Sequence, residues 1–420
     1  MSLNRVVITG LGAVSPYGVG VETLYAAMTR GQSAITEHPD LKAIKGLRCH
    51  IAGLVPELDA REIPRKHRRT MSRMSVFAVL AAMEALESAR VDESLRRSEQ
   101  TGVIIGTTVG SPQTLQDFFA EYLREFSIEQ VKSSLFFKIM GHTCAANVAQ
   151  ALGIGGRVMA PSAACATGVQ AIGLGYEAIA LGRQGIMLCG GAEELHPLTV
   201  GIFDIINAAS TGYNTDPGRS PRPFDARRDG TVCSEGGGVL VLESLDSALE
   251  RGVPILAEII GFASNSDTTN ISTPDPGRIE QCMRLALADA GLEPGQVDYV
   301  NAHATATELG DPAECRAIAR LFGDAVPVSG FKGHLGHTLA ASGALELIAV
   351  VRMLQDGLCL PTLNLDQPDP ECAMVRHVRE PEPRIMDIAV KNNFALGGVN
   401  ASLIVRKFAE HAARHPERHY

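Results

Sequence analysis

The sequence contains no tryptophan, and aromatic residues make up only 5% of its 420 positions. That composition favours close packing of elements and tight turns over an aromatic-lined binding surface. It also lacks any CxxC pair. Its nine cysteines are scattered at 49, 144, 165, 189, 233, 282, 315, 359 and 372, and their number is odd. This argues against a disulfide framework or a structural zinc site, and for a reducing cytoplasm. Positive charge is in deficit: the formal net charge is −9 and the sequence pI about 5.8. Nothing in that balance suggests nucleic-acid binding. No segment reads as membrane-spanning, and the start "MSLNRVVITGLG" reads as strand and turn rather than an apolar signal region. The end, "EHAARHPERHY", is polar and reads as a frayed tail.

What the chain does have is core material, with 45% hydrophobic residues and 42 glycines. Short β-rich apolar runs recur, and we read them as buried strands. They cover 5–12, 101–108, 185–194 and 237–245 in the first half. In the second half they cover 255–263, 297–305, 326–333, 387–395 and 401–408. Helical patterns lie between them at 75–90, 168–182, 278–291, 312–323 and 344–357. The alternation predicts an α/β fold with mostly parallel sheets. The helices after Cys165 and after His337 start with small residues and are apolar nearly all round. Helices of that kind are buried on every side. One in each half suggests an internal duplication, two sheets sandwiching a central helical layer, with a hinge near 248–255.

Four places carry chemistry. In "PSAACATGVQAIGLG" (161–175), Cys165 precedes a buried helix whose N-terminus would favour a thiolate, although a buried cysteine is more often a small hydrophobe. In "NAHATATELGDPAE" (301–314), His303 follows a strand end, the usual edge for ligand sites in α/β sheets, with Thr305 and Thr307 beside it. "SGFKGHLGHTLAASG" (329–343) holds Lys332, His334 and His337, with no HExxH or carboxylate pattern to complete a metal site. "NNFALGGVNASLIV" (392–405) is a Gly-Gly turn between strands that can offer backbone N–H groups to an oxyanion. One nucleophile, two histidines, a lysine and a glycine turn together suit acyl transfer through a thioester.

Over roughly residues 4–407 the chain resembles the elongating (I/II) type of β-ketoacyl-acyl-carrier-protein synthase, a condensing enzyme of the thiolase superfamily. The motifs are "SAACATG", "GGAEE", "SRPFDARRDG", "NAHATATELGDPAE", "KGHLGHTLAASGALE" and "NNFALGGVN". The resemblance implies a duplicated five-layered α/β/α/β/α sandwich. Its halves would be 1–250, carrying the nucleophile, and 251–412, carrying the histidine pair, followed by a polar tail at 413–420. It implies that Cys165 takes the acyl chain and that His303 and His337 hold the malonyl thioester oxygen during decarboxylation. Lys332 would support the site electrostatically, with Glu346 behind it. The backbone N–H groups of Cys165 and Leu396 would form the oxyanion hole. Thr305 and Thr307 would line the carrier's pantetheine arm, and Phe394 and Leu396 the substrate pocket. The product would be a 3-oxoacyl chain two carbons longer, made without metal or organic cofactor. The partners implied are acyl- and malonyl-loaded acyl carrier protein and a second copy of the chain, with "SSLFFKIMGHT" (133–143) reaching toward that copy's acyl pocket. The basic run "RKHRR" would dock the acidic carrier through Arg65, Lys66, Arg68 and Arg69, although such a run is usually a solvated helix start.

Two positions depart from the family pattern. Ala304 replaces the usual Gly after the first histidine, and Leu396 replaces a gating Phe in the glycine-rich loop. The wording "NNFA" and "GGAEEL" is similar to synthases of specialised, aryl-polyene-like lipid pathways, an alternative to fatty-acid synthesis. A thiolase would bring a second catalytic cysteine where this chain has Leu396-Gly397-Gly398. A subunit working only with a chain-length-factor-type partner is the other alternative, and retention of Cys165, His303, Lys332 and His337 argues against its being the inactive one.

Overall fold

The computed structural model describes residues 3–267, 271 and 273–409. The tail expected at 413–420 lies outside the described residues.

Ten strands build the frame. The first five are β1 (Val6–Ser15), β2 (Thr101–Gly106), β3 (Val158–Met159), β4 (Ile186–Glu193) and β5 (Gly236–Ser244). The second five are β6 (Ala257–Ser266), β7 (Tyr299–Asn301), β8 (Pro327–Ser329), β9 (Ile388–Ala395) and β10 (Val399–Arg406). All nine strand segments expected from the sequence are present. The short β3 was missed because two exposed residues carry no apolar period.

The spatial order is β3-β2-β4-β5-β1 and then β6-β10-β9-β7-β8, with Arg376–His377 added beyond β8. Read from its outer edge inward, each set of five has the sequence order 3-2-4-5-1. The pairing directions repeat as well. β2 is parallel to β3 and β4, as β7 is to β8 and β9. β5 is antiparallel to β4 and β1, as β10 is to β9 and β6. The expected duplication is therefore present in the topology.

Three details differ from expectation. The sheets are mixed, because the last strand of each half returns antiparallel to both its neighbours. The two sheets are also continuous: Val6–Ile8 of β1 pair with Ala257–Ile259 of β6. The segment expected as a hinge, 248–255, holds the end of a helix, Leu245–Arg251, and the turn that leads to that join.

Six helices matter for the site. α1 (Arg73–Ser88) and α2 (Thr143–Leu152) cover the outer face of the first half; α4 (Pro276–Ala290) and α5 (Gly310–Phe322) cover that of the second. Between the two sheets lie α3 (Thr167–Ala180) and α6 (Ser342–Asp356), which touch each other and strands of both halves. Both follow the third strand of their half, so they occupy equivalent places in the repeat. Their apolar surfaces join one core cluster that includes Val169, Ile172, Leu345 and Ile348. Burial on all sides explains the all-round apolar composition.

Small residues let these helices meet at their starts. A Cβ on Gly343 would lie 2.6 Å from the Val169 nitrogen, and one on Gly168 would lie 2.7 Å from the Ala340 oxygen. The backbone approach therefore requires glycine on both sides. It brings the residues just before the two helices, Cys165 and His337, into one place.

Candidate active site

Cys165 sits in a 3-10 turn, Ala164–Ala166, leading directly into α3. Ala164 adopts φ +45°, in the left-handed region, and so turns the chain sharply enough to present the sulfur at the helix start. The Thr167 hydroxyl accepts from the Ala163 N–H at 2.8 Å and holds the turn. The sulfur is buried. Burial pushes the thiol up to about 11, opposed by Lys332 and by the backbone N–H groups of Leu396 and Cys165. Two backbone N–H groups thus act on the sulfur. Cys165 is the only cysteine among the described residues lining the site cavity, which has a volume of about 450 Å³.

His337 Nε2 lies 2.9 Å from Cys165 Sγ. Its Nδ1 accepts the Leu339 N–H at 3.2 Å, which leaves the proton on Nε2. Asn393 fixes His303 in the same way. The Cys165 carbonyl can only accept, so the Asn393 atom 2.9 Å from it is the amide nitrogen. That nitrogen also lies 3.2 Å from His303 Nδ1 and 2.9 Å from Ser342 Oγ. An amide nitrogen can only donate, so His303 Nδ1 faces a donor and shares the amide's second hydrogen with Ser342 Oγ, which favours the tautomer with the proton on Nε2. The two imidazole rings stand 5.3 Å apart, nearly perpendicular. Burial first, then the positive charge of Lys332, holds both well below the ordinary histidine range.

Cys165, His303 and His337 have ligating atoms within 4.8 Å of one another, which is metal-like spacing. Protonated Nε2 atoms have no lone pair to offer. Moving either proton to Nδ1 would set it against a backbone or amide donor, so the donor set suits an oxygen anion instead. His334 is turned away, with Nε2 3.1 Å from the Pro361 carbonyl.

Lys332 is fully buried; its Nζ lies 2.8 Å from Glu346 Oε1 and also donates to the His303 carbonyl. The His303 loop is clamped again by Glu314, which accepts the His303 and Ala304 N–H groups at 2.8 Å each. Ala304 adopts φ +45°, a conformation that explains the glycine usual in the family. The neighbouring loop makes room for the methyl group: a Cβ on Gly330 would stand 2.5 Å from Ala304 Cβ.

Thr305 and Thr307 line the cavity, their hydroxyls 3.0 Å apart. Phe394 and Leu396 line it too; Phe394 is buried and Leu396 is 39% exposed at the mouth. Gly397 and Gly398 both have positive φ and turn β9 into β10. Of the expected site residues, the catalytic Cys165, His303, His337 and Lys332 and the supporting Glu346 thus meet in one buried cluster. The basic run lies apart on a short helix, Arg65–Arg68, with Arg65, Lys66 and Arg69 exposed and Arg68 half-buried. Asn393 and Lys391 were not foreseen, since nothing in a single strand sequence says which polar residue faces inward.

A duplicated condensing-enzyme fold of the thiolase type, with a cysteine and two histidines where its central helices meet, defines an acyltransferase class. The comparisons narrow it. Residues 3–248 match the family described as "Beta-ketoacyl synthase, N-terminal domain" and residues 256–366 its C-terminal domain. The chain belongs to the β-ketoacyl synthase family. It is 36% identical to 3-oxoacyl-[acyl-carrier-protein] synthase 1 of Escherichia coli K12, covering 97% of this chain and 100% of the relative. The structure of a β-ketoacyl synthase from Burkholderia phymatum is 41% identical, with a TM-score of 0.94 over 97% of this chain and 100% of that one. A type II polyketide ketosynthase solved with its acyl-carrier protein is 28% identical, with a TM-score of 0.89 over 97% and 100%.

Proposed function

We propose that this protein is a 3-oxoacyl-acyl-carrier-protein synthase acting by decarboxylative Claisen condensation. The observation that carries the reading is the pair of imidazole Nε2–H groups beside Cys165. In the first half-reaction Cys165 attacks an acyl thioester, with the oxyanion held by the N–H groups of Cys165 and Leu396. The thiol proton leaves with the carrier's sulfur. In the second, malonyl-carrier places its thioester oxygen between His303 and His337. The bond to the carboxylate breaks, CO2 departs, and the electron pair forms an enolate. That carbon attacks the acyl group, and Cys165 departs and regains a proton. Thr305 and Thr307 at the cavity wall support a role as pantetheine contacts.

Residues 1–250 and 251–412 act as the two halves, each supplying part of the site. The acidic carrier docks on Arg65, Lys66, Arg68 and Arg69, steered by local positive charge. The double reversal Arg68→Glu and Arg69→Glu should raise KM for carrier-bound substrates about tenfold or more with kcat little changed. Unchanged carrier kinetics would leave the patch as plain surface. A second copy of the chain covers the sheet edge at β3, where Val158 and Met159 are exposed, and the exposed Phe136 and Phe137 nearby in sequence. Nine free cysteines support a reducing compartment such as the cytoplasm. Leu396 at the cavity mouth sets acyl preference, so Leu396→Phe should shift chain-length preference more than maximal rate. An unchanged acyl profile in that variant would sink the idea.

The test is extension. The protein is incubated with a panel of acyl-carrier proteins, short to long, unsaturated and aryl-capped, then with malonyl-carrier. A 3-oxoacyl product two carbons longer, with CO2 released, supports the reading, and the preferred donor separates fatty-acid from specialised lipid synthesis. No product from any donor would overturn it in favour of a partner-dependent subunit.

A further inference from the structure

Lys391 lies in the middle of β9, a strand that reads as buried, and its side chain is fully buried. Strand alternation places Ala389, Lys391 and Asn393 on one face and Val390 and Asn392 on the other. Ala389 belongs to the cluster between the sheets and Val390 to the outer one, so Lys391 faces the central helices. Its Nζ lies 2.7 Å from Glu346 Oε2 and 2.8 Å from the Asn392 carbonyl. Glu346 Oε1 is already taken by Lys332 at 2.8 Å. One carboxylate on α6 therefore serves two ammonium groups.

That arrangement is hard to explain as packing. An isolated ion pair of Lys332 and Glu346 would be balanced, and a second buried cation adds desolvation cost while sharing the one carboxylate it touches. The cost is visible: burial pulls Lys391 down to about 8, against the opposing pull of Glu346. The charged groups facing it are Glu346, Lys332 and Glu314. Both lysines are felt at the histidines. After burial, Lys332 and Lys391 both disfavour protonation of His337, and the same two lysines together with His337 disfavour that of His303. The largest cationic influence on the Cys165 thiol is that of Lys332.

We propose that Lys391 is a second positioning lysine of the condensing site, sharing Glu346 with Lys332 and so biasing the field toward the oxygen that becomes the enolate. The inference rests on the functional reading above. Lys391 exchanges no proton in the step. The carbon–carboxylate bond breaks, its electron pair enters the enolate, and the lysine contributes charge alone. Because Lys391 is felt at the histidine pair, it acts chiefly on the malonyl half-reaction and less on acylation.

The test separates the two half-reactions in Lys391→Met and Lys391→Gln. Glutamine keeps a donor for Glu346 and removes only the charge, so it stays informative where methionine fails to fold. Acyl transfer to Cys165, followed by intact mass, should stay within about twofold of wild type. CO2 release from malonyl-carrier by the acylated enzyme should fall about tenfold, the order expected for one charge removed at close range in a screened interior. Its acid limb should move to higher pH, because losing the cation raises the histidines' proton affinity. Equal loss of both half-reactions, or no loss in a folded Lys391→Gln, overturns the proposal. A wild-type protein that acylates with no donor instead overturns the functional reading beneath it.

Discussion

A His337→Ala protein is expected to release CO2 from malonyl-carrier between one hundred and one thousand times more slowly, the usual effect of deleting one preorganised oxyanion donor. Acylation of Cys165 should fall less. The thiol loses its neighbour at 2.9 Å, but the Lys332 charge and the Leu396 and Cys165 N–H groups remain. The half-reactions therefore separate in this variant, which an enzyme using His337 chiefly as a base for the cysteine would not allow. The tautomer argument sharpens the expectation. With Nδ1 accepting from Leu339, Nε2 is a donor, and a donor cannot take the thiol proton. Because burial and Lys332 keep both histidines well below the usual range, the wild-type decarboxylation rate should be flat from about pH 6 to 8 as far as the imidazoles are concerned. Separate assays of loading and CO2 release across that range check both points. Equal loss of loading and release in His337→Ala would return the histidine to a general-base role.

Gly343→Ala should cost the protein both stability and activity, although the residue touches no substrate. The new methyl would sit 2.6 Å from the Val169 nitrogen and 2.8 Å from its Cγ2. Overpacking of this kind typically costs about 1–3 kcal/mol, and backbone can yield only by moving a helix. The helix that must move is α3, whose start carries Cys165, relative to α6, whose approach carries His337. A shift of an ångström there breaks the contact between them, so acyl transfer and condensation should fall by about a hundredfold. Gly295→Ala is the control, since nothing lies within 4 Å of its added Cβ. Thermal unfolding and condensation rate, measured on both, check the claim. A Gly343→Ala protein with wild-type melting and activity would show that the helix starts are not held in rigid contact.

The fold and most of the site were legible because their signals are local. Each buried strand carries its own apolar run, and the two central helices announce themselves by being apolar on every side. Cys165, His303, Lys332, His337 and Leu396 stand in motifs whose order resembles one family. What stayed hidden depends on pairing across long sequence distances. The antiparallel return of β5 and β10 is set by where strands meet, not by their composition. Lys391 and Asn393 read as ordinary polar residues of a strand. Their meaning comes from Glu346, 45 positions earlier, and from the Cys165 carbonyl, 228 positions earlier. Lys332 was foreseen as an electrostatic support, but that it shares its carboxylate with a second lysine is a property of the folded chain. Ala304 looked like a departure from pattern, and the compensating space at Gly330 appears only when the two loops are side by side.

The most direct test of the account is where the acyl group goes. The wild-type protein and Cys165→Ala are each mixed with an accepted acyl-carrier donor, and intact mass and peptide mapping locate any adduct. The account predicts one acyl group per wild-type chain, on Cys165, and none on the variant. An adduct that persists in Cys165→Ala, or maps to another of the nine cysteines, would contradict it.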